Sequence, residues 1–306
     1  MSQSTAIPHR TPHLPLLFWG YLGIIAFAEL VTSALDSRAG LAVHALVLVV
    51  VLAHGGTAGD DQAGKLALAL ALAPLIRILS LSLPLAQFPR LAWYPLVTAP
   101  LLIATVMLAR QMHLTRAVFG LRPGDIPLQL MLGGSGFGLG VVAYLIFKPD
   151  PLLTVFSWDA FLLQTANLLI FTGLVEEAIF RGLLQSLALP VLGCRGILYV
   201  SLLFAALHIG HGSAVGIMFV FGVSLMFAYL VLWSGSILGV ALAHGVMNVT
   251  LFLVIPFHIQ SADPGGKAFA VATVAGGAAL AGIAATILFR RAARDRRRAA
   301  TPAGAP

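Results

Sequence analysis

Phe171–Gln185 reads FTGLVEEAIFRGLLQ, and it places three full charges, Glu176, Glu177 and Arg181, inside an otherwise apolar run. At membrane depth, charged side chains are costly unless they are paired or used, so an intramembrane ionisable cluster marks a functional site. Helical geometry separates their roles. At about 100° per residue, Glu177 and Arg181 lie about 40° apart on the wheel, whereas Glu176 and Arg181 lie about 140° apart. Glu177 is therefore the expected partner of Arg181, and the partners of Glu176 are expected on other helices.

Working outward, the whole chain has the same character. Of 306 residues, 59% are hydrophobic and only 9% are charged, and the mean hydropathy is +0.97. These values lie outside the range of water-soluble domains. Spanning segments need about 20 mostly apolar residues and must satisfy their own backbone hydrogen bonds, so helices are expected. The fold class is all-α: a polytopic transmembrane helix bundle of about ten spans. These are read at 15–35, 40–56, 66–87, 92–112, 127–147, 158–189, 195–211, 214–234, 236–258 and 268–290. The single cysteine, Cys194, excludes an intramolecular disulfide and a thiolate metal cluster.

The net charge of +7 reflects orientation in the bilayer rather than nucleic-acid binding. With the N-terminus inside, the inner segments carry Arg10, Lys65, Arg110, Arg116, Arg122, Arg195 and the basic tail that starts at Arg290. The outer loops carry only Arg38, Arg90, Lys148 and Lys267. This bias predicts a multi-pass protein of the cell membrane with both termini cytoplasmic, its tail against anionic lipid. Three regions are expected: a four-helix membrane region at 1–112, a core at 113–258, and a last span with the basic tail at 259–306. In the first region Glu29, His44, His54 and Arg77 are isolated polar residues, expected to pair privately or sit near a water interface. A transport pathway through Glu29, Arg77 and Glu176 is the other reading, but no inverted repeat supports it.

The second half concentrates its polar residues on three apolar runs. Phe204 and His208 are four apart, as are His244 and Asn248, so each pair is expected on one helical face. A lone buried histidine is more often a packing element, and a membrane asparagine is often interhelical glue. Here, however, Glu176, His208, His244 and Asn248 are nearly all the strongly polar non-loop side chains of this half. With rises of 1.5 Å per residue, Glu176, His208 and His244 lie roughly 12–20 Å from one membrane face, so one shared site is geometrically possible.

Glu-Glu-x-x-x-Arg at Glu176–Arg181, Phe-x-x-x-His at Phe204–His208 and Ser-x7-His-x-x-x-Asn at Ser236–Asn248 together resemble the three motifs of the CPBP (Abi) family. That family comprises type II CAAX prenyl endopeptidases and bacteriocin-processing and immunity proteins. The resemblance covers roughly residues 115–258 and includes the lead-in Phe119-Gly120-Leu121. It implies an intramembrane endopeptidase whose partners are the lipid bilayer and a peptide or membrane-anchored protein substrate, with no nucleic acid. Glu176 and His208 would activate water, His244 and Asn248 would bind the oxyanion, and Glu177 with Arg181 would be structural. The family is described both as metalloproteases and as glutamate-dependent proteases. In the metal account one zinc ion is held by Glu176, His208 and His244, with Glu177 as base. The HExxH helix of soluble zinc proteases is absent, and the metal-free account is preferred because Glu177 is better placed to pair than to act. A non-catalytic scaffold or immunity partner of the same family is the alternative function.

Overall fold

In the computed structural model, residues 14–153, 155–260 and scattered positions between 271 and 290 are described. Nine helices account for the continuous part: α1 (Leu14–Ala34) and α2 (Ser37–Thr57); α3 (Gln62–Ser82); α4 (Arg90–Gln111) and α5 (Ile126–Phe147); α6 (Trp158–Leu192); α7 (Arg195–Ala206) and α8 (Ala214–Ser234); and α9 (Leu238–Phe257). Eight of them are long and apolar enough to cross a membrane, and no strand is present among the described residues. The protein is thus a polytopic helical bundle. The expected last span at 268–290 and the basic tail lie outside the continuously described residues.

One expected span is corrected. The run at 195–211 does not continue as a membrane-crossing helix, because α7 stops at Ala206 after 12 residues, about 18 Å of rise. Beyond it the chain enters a short 3₁₀ turn at Ile209–His211, closed by Gly212 at a φ of 69°. A left-handed residue of this kind suits glycine, which carries no Cβ.

Polar residues between the spans start the helices. Asp36, Asp61, Asp125, Ser157 and Ser213 each accept a hydrogen bond from the backbone N–H three residues on, at the beginnings of α2, α3, α5, α6 and α8. Each satisfies one of the donors a helix N-terminus leaves unpaired. The apolar core runs without a break from Phe18 of α1 to Ala243 of α9. At one junction Tyr199 of α7, fully buried, meets Phe18 and Trp19 of α1 edge to face, with centroids 6.5 and 5.5 Å apart.

Two features place α9 against its neighbours. Gly136 and Gly140 of α5 face the Ala243 and Met247 carbonyls of α9, and Gly173 of α6 faces the Ala241 carbonyl, where a Cβ would come within 2.6 Å. Small residues let membrane helices approach this closely. In addition, α6 is not a uniform α-helix. Leu168–Leu174 and Ala178–Leu184 are π-helical, flanking a three-residue α-helical piece, Val175–Glu177. Wider turns of this type are frequent at functional sites, and here they bracket the two glutamates.

Candidate functional site

Glu177 and Arg181 of α6 are paired within the bundle. Arg181, 2% exposed, donates from Nη1 to Oε1 of the fully buried Glu177 at 3.0 Å. Its Nη2 donates to the Ser224 carbonyl at 3.0 Å and to Ser224 Oγ at 2.9 Å on α8. The guanidinium also lies 4.9 Å from the Phe204 ring centroid and 5.9 Å from that of Phe227, close enough for cation–π attraction. The i,i+4 pairing expected from the helical wheel is present, and Arg181 does not pair with Glu176.

Glu177 has a second partner that the helical wheel does not reveal. Its Oε1 also lies 2.8 Å from His244 Nδ1 on α9, so one carboxylate oxygen serves both Arg181 and His244. Holding Nδ1 in this way fixes the ring and leaves Nε2 for chemistry. That nitrogen lies 3.8 Å from Glu176 Oε2, too far for a direct hydrogen bond. Glu176 itself is part-exposed, its side chain 26% accessible.

His208 departs from the expected setting. It is not in the body of a helix but one residue past the C-cap of α7, with φ of −103° and ψ of 5°. It nevertheless remains against Phe204, with Nδ1 2.7 Å from the Phe204 carbonyl and ring centroids 4.6 Å apart. A carbonyl only accepts, so Nδ1 carries the hydrogen and a neutral ring presents the Nε2 lone pair. On α9, Asn248 Nδ2 donates to Thr172 Oγ1 at 2.9 Å, and that hydroxyl donates to the Leu168 carbonyl at 2.5 Å. The chain of donors orients the amide. Ser236, the first residue of the third motif, works locally: its Oγ donates to the Arg122 carbonyl at 2.6 Å and accepts from Leu238 N at 3.2 Å. It ties the start of α9 to the loop that follows Phe119, whose ring in turn fills the space above Gly182 of α6.

Glu176, Glu177, Arg181, His208, His244 and Asn248 all line one cavity of about 330 Å³. Thr172, Ser224, Tyr94 and His211 line it too and were not singled out from sequence. Thr172 lies inside the opening quotation and Ser224 interrupts an apolar run, whereas Tyr94 comes from α4, outside any motif. A second chamber of about 580 Å³ shares Tyr94, Glu176, Phe204, His208 and His211 with the first and extends to Arg77 and Trp93. Glu29, Arg77 and His44 form their own cluster behind it, and His54 Nδ1 lies 3.0 Å from Tyr21 Oη. Glu29, His44 and His54 thus pair within the first half as expected, whereas Arg77 also reaches the second half, donating to the Leu207 carbonyl.

The residue types Glu176, His208 and His244 suit zinc, but among the described residues no three His, Cys, Asp or Glu side chains are arranged to hold a metal ion. His244 Nδ1 is taken by Glu177, so Nε2 is the nitrogen it would offer to a metal. That ligand set is not preformed.

Residues 158–250 match the family model described as type II CAAX prenyl endopeptidase Rce1-like. This segment spans all three motifs, so over these residues the chain is similar to the Rce1-like proteins, and at the level of that family the match supports a CAAX-type intramembrane protease. Neither a curated protein nor a solved structure matches the chain.

Proposed function

We propose that this chain, with its Rce1-like segment at 158–250, is an intramembrane endopeptidase that hydrolyses a peptide bond of a membrane-associated substrate, of CAAX or leader type. The observation that carries the reading is the convergence of Glu176, His208, His244 and Asn248, from two helices and a turn, on one cavity.

Peptide hydrolysis needs an activated water, a group that takes and returns its proton, and donors for the oxyanion. Water held between the Glu176 carboxylate and His208 Nε2 attacks the scissile carbonyl as Glu176 takes its proton. The tetrahedral oxyanion is met by Asn248 and by His244 Nε2, which as an imidazolium is a donor. Collapse breaks the C–N bond, and Glu176 returns the proton to the leaving nitrogen. Glu177 and Arg181 do not touch the substrate in this scheme. They lock His244 and each other, so the polar donors need little reorganisation as charge develops.

Purified protein in liposomes, assayed with a prenylated CAAX-type peptide and an unprenylated membrane-anchored peptide, tests the reading. Glu176→Gln and His208→Ala are expected to lose roughly 100-fold or more of the cleavage rate while melting as the wild type does. Wild-type turnover by either variant, or a collapse of stability with no cleavage by the wild type, would leave a scaffold or immunity partner in its place.

A further inference from the structure

His208 is the site residue that lies off a helix, and its placement depends on what holds the end of α7. Leu207 is the C-cap of that helix. Carbonyls at a helix C-terminus have no partner within the helix, and at membrane depth they need one. The Leu207 carbonyl is bonded by a residue 130 positions away: Arg77 Nη2 of α3 donates to it at 2.6 Å. The same guanidinium grips Glu29 of α1, with Nε donating to Oε1 at 2.8 Å and Nη2 lying 2.7 Å from Oε2. Glu29 is fully buried, and His44 Nε2 of α2 stands 3.4 Å from its Oε1. Three helices outside the Rce1-like segment are therefore linked through Glu29 and Arg77, and that arginine holds the peptide that leads into His208.

We infer that Arg77 is a positioning residue for His208: the Glu29–Arg77 fork fixes the Leu207–His208 peptide and thereby holds the imidazole in the cavity it shares with Glu176. The peptide unit is planar, so holding its oxygen also fixes the His208 N–H, which donates to the Ala205 carbonyl at 3.0 Å. With the Nδ1 bond to Phe204, the ring is held through backbone and side chain together. Only a planar fork grips a carboxylate with two nitrogens and still reaches a carbonyl, which an ammonium cannot do. The charge of Arg77 is matched by Glu29, so although it lines the second chamber it is not a free receptor for a substrate anion. The N-terminal helices thus serve the site as a strut.

This inference rests on the peptidase reading for its kinetic arm only. In liposomes, Arg77→Gln is expected to lower kcat at least tenfold with KM within twofold, since small misplacements of a reacting group are costly. Glu29→Gln should lower kcat as well, and the double variant should be no worse than Arg77→Gln alone. Arg77→Lys should recover part of kcat, and it carries the comparison if Arg77→Gln does not accumulate. In the second arm the protein is labelled with ¹⁵N-histidine, and the His208 ring signals are assigned by their loss in His208→Ala. They should shift in Arg77→Gln. Unchanged kcat, a raised KM at unchanged kcat, or ring signals that superimpose on the wild type would each overturn the inference. If the wild type cleaves nothing, the peptidase reading fails, and the ring signals alone decide whether Arg77 positions His208.

Discussion

Glu177 is the residue on which the site turns, because a single carboxylate oxygen faces both a guanidinium and an imidazole. Removing one partner of a buried ion pair leaves an uncompensated charge in a low-dielectric interior, which costs about 3–5 kcal/mol. Arg181→Met is therefore expected to lower the melting temperature strongly, and the loss should shrink in Arg181→Met/Glu177→Gln, where no bare charge remains. A thermal melt in detergent reads both; equal losses in the two variants would mean that the charge pairing is not what Arg181 supplies. The pairing of Glu177 with Arg181 was legible from i,i+4 spacing. Its bond to His244 was not, because 67 residues separate the two and no local rule relates them.

At the scale of the element, α6 and α9 are held by close backbone approach. At Gly173 a methyl group would come within 2.6 Å of the Ala241 carbonyl and against Gly245, which are backbone atoms that cannot swing aside. Gly173→Ala is expected to push α9 away from α6, separating His244 from Glu177, and to cost about 1–3 kcal/mol as overpacking does. Cleavage should fall together with the melting temperature, whereas alanine at Gly138, which faces open space, should change neither. A Gly173→Ala protein of full activity would show that the helix spacing is not set there. The end of α7 teaches the complementary lesson. Phe-x-x-x-His reads as one helical face, yet the helix ends between the two residues, and the local sign was the Gly210-His211-Gly212 sequence just beyond.

For the whole molecule, the distribution of basic residues gives an expected orientation in the bilayer that labelling can test. Cys194, the single cysteine, is exposed at the junction of α6 and α7, beside Arg195 on the side expected to be cytoplasmic. A membrane-impermeant thiol reagent is expected to label it in inverted vesicles and not in intact cells; the reverse pattern would invert the topology. Chelation is the second measurement at this scale. A site built on Glu176 as base keeps its cleavage rate after chelator treatment, and loss restored by zinc would instead require Glu176, His208 and His244 to rearrange into a ligand set.

By itself the sequence determined that this chain is a helical membrane bundle, where most of its spans lie, and which four polar residues of the second half belong together. Those properties follow from hydropathy over about 20 residues and from helical spacing, both local to the chain. Only the tertiary structure decided that Glu177 holds His244, that Thr172 and Ser224 complete the polar lining, and that Arg77 of the first region reaches the carbonyl before His208. Those contacts join elements far apart in sequence. They depend on how closely glycine-bearing faces let the helices approach and on where buried charges and unpaired helix-end carbonyls find partners, which no window of sequence contains.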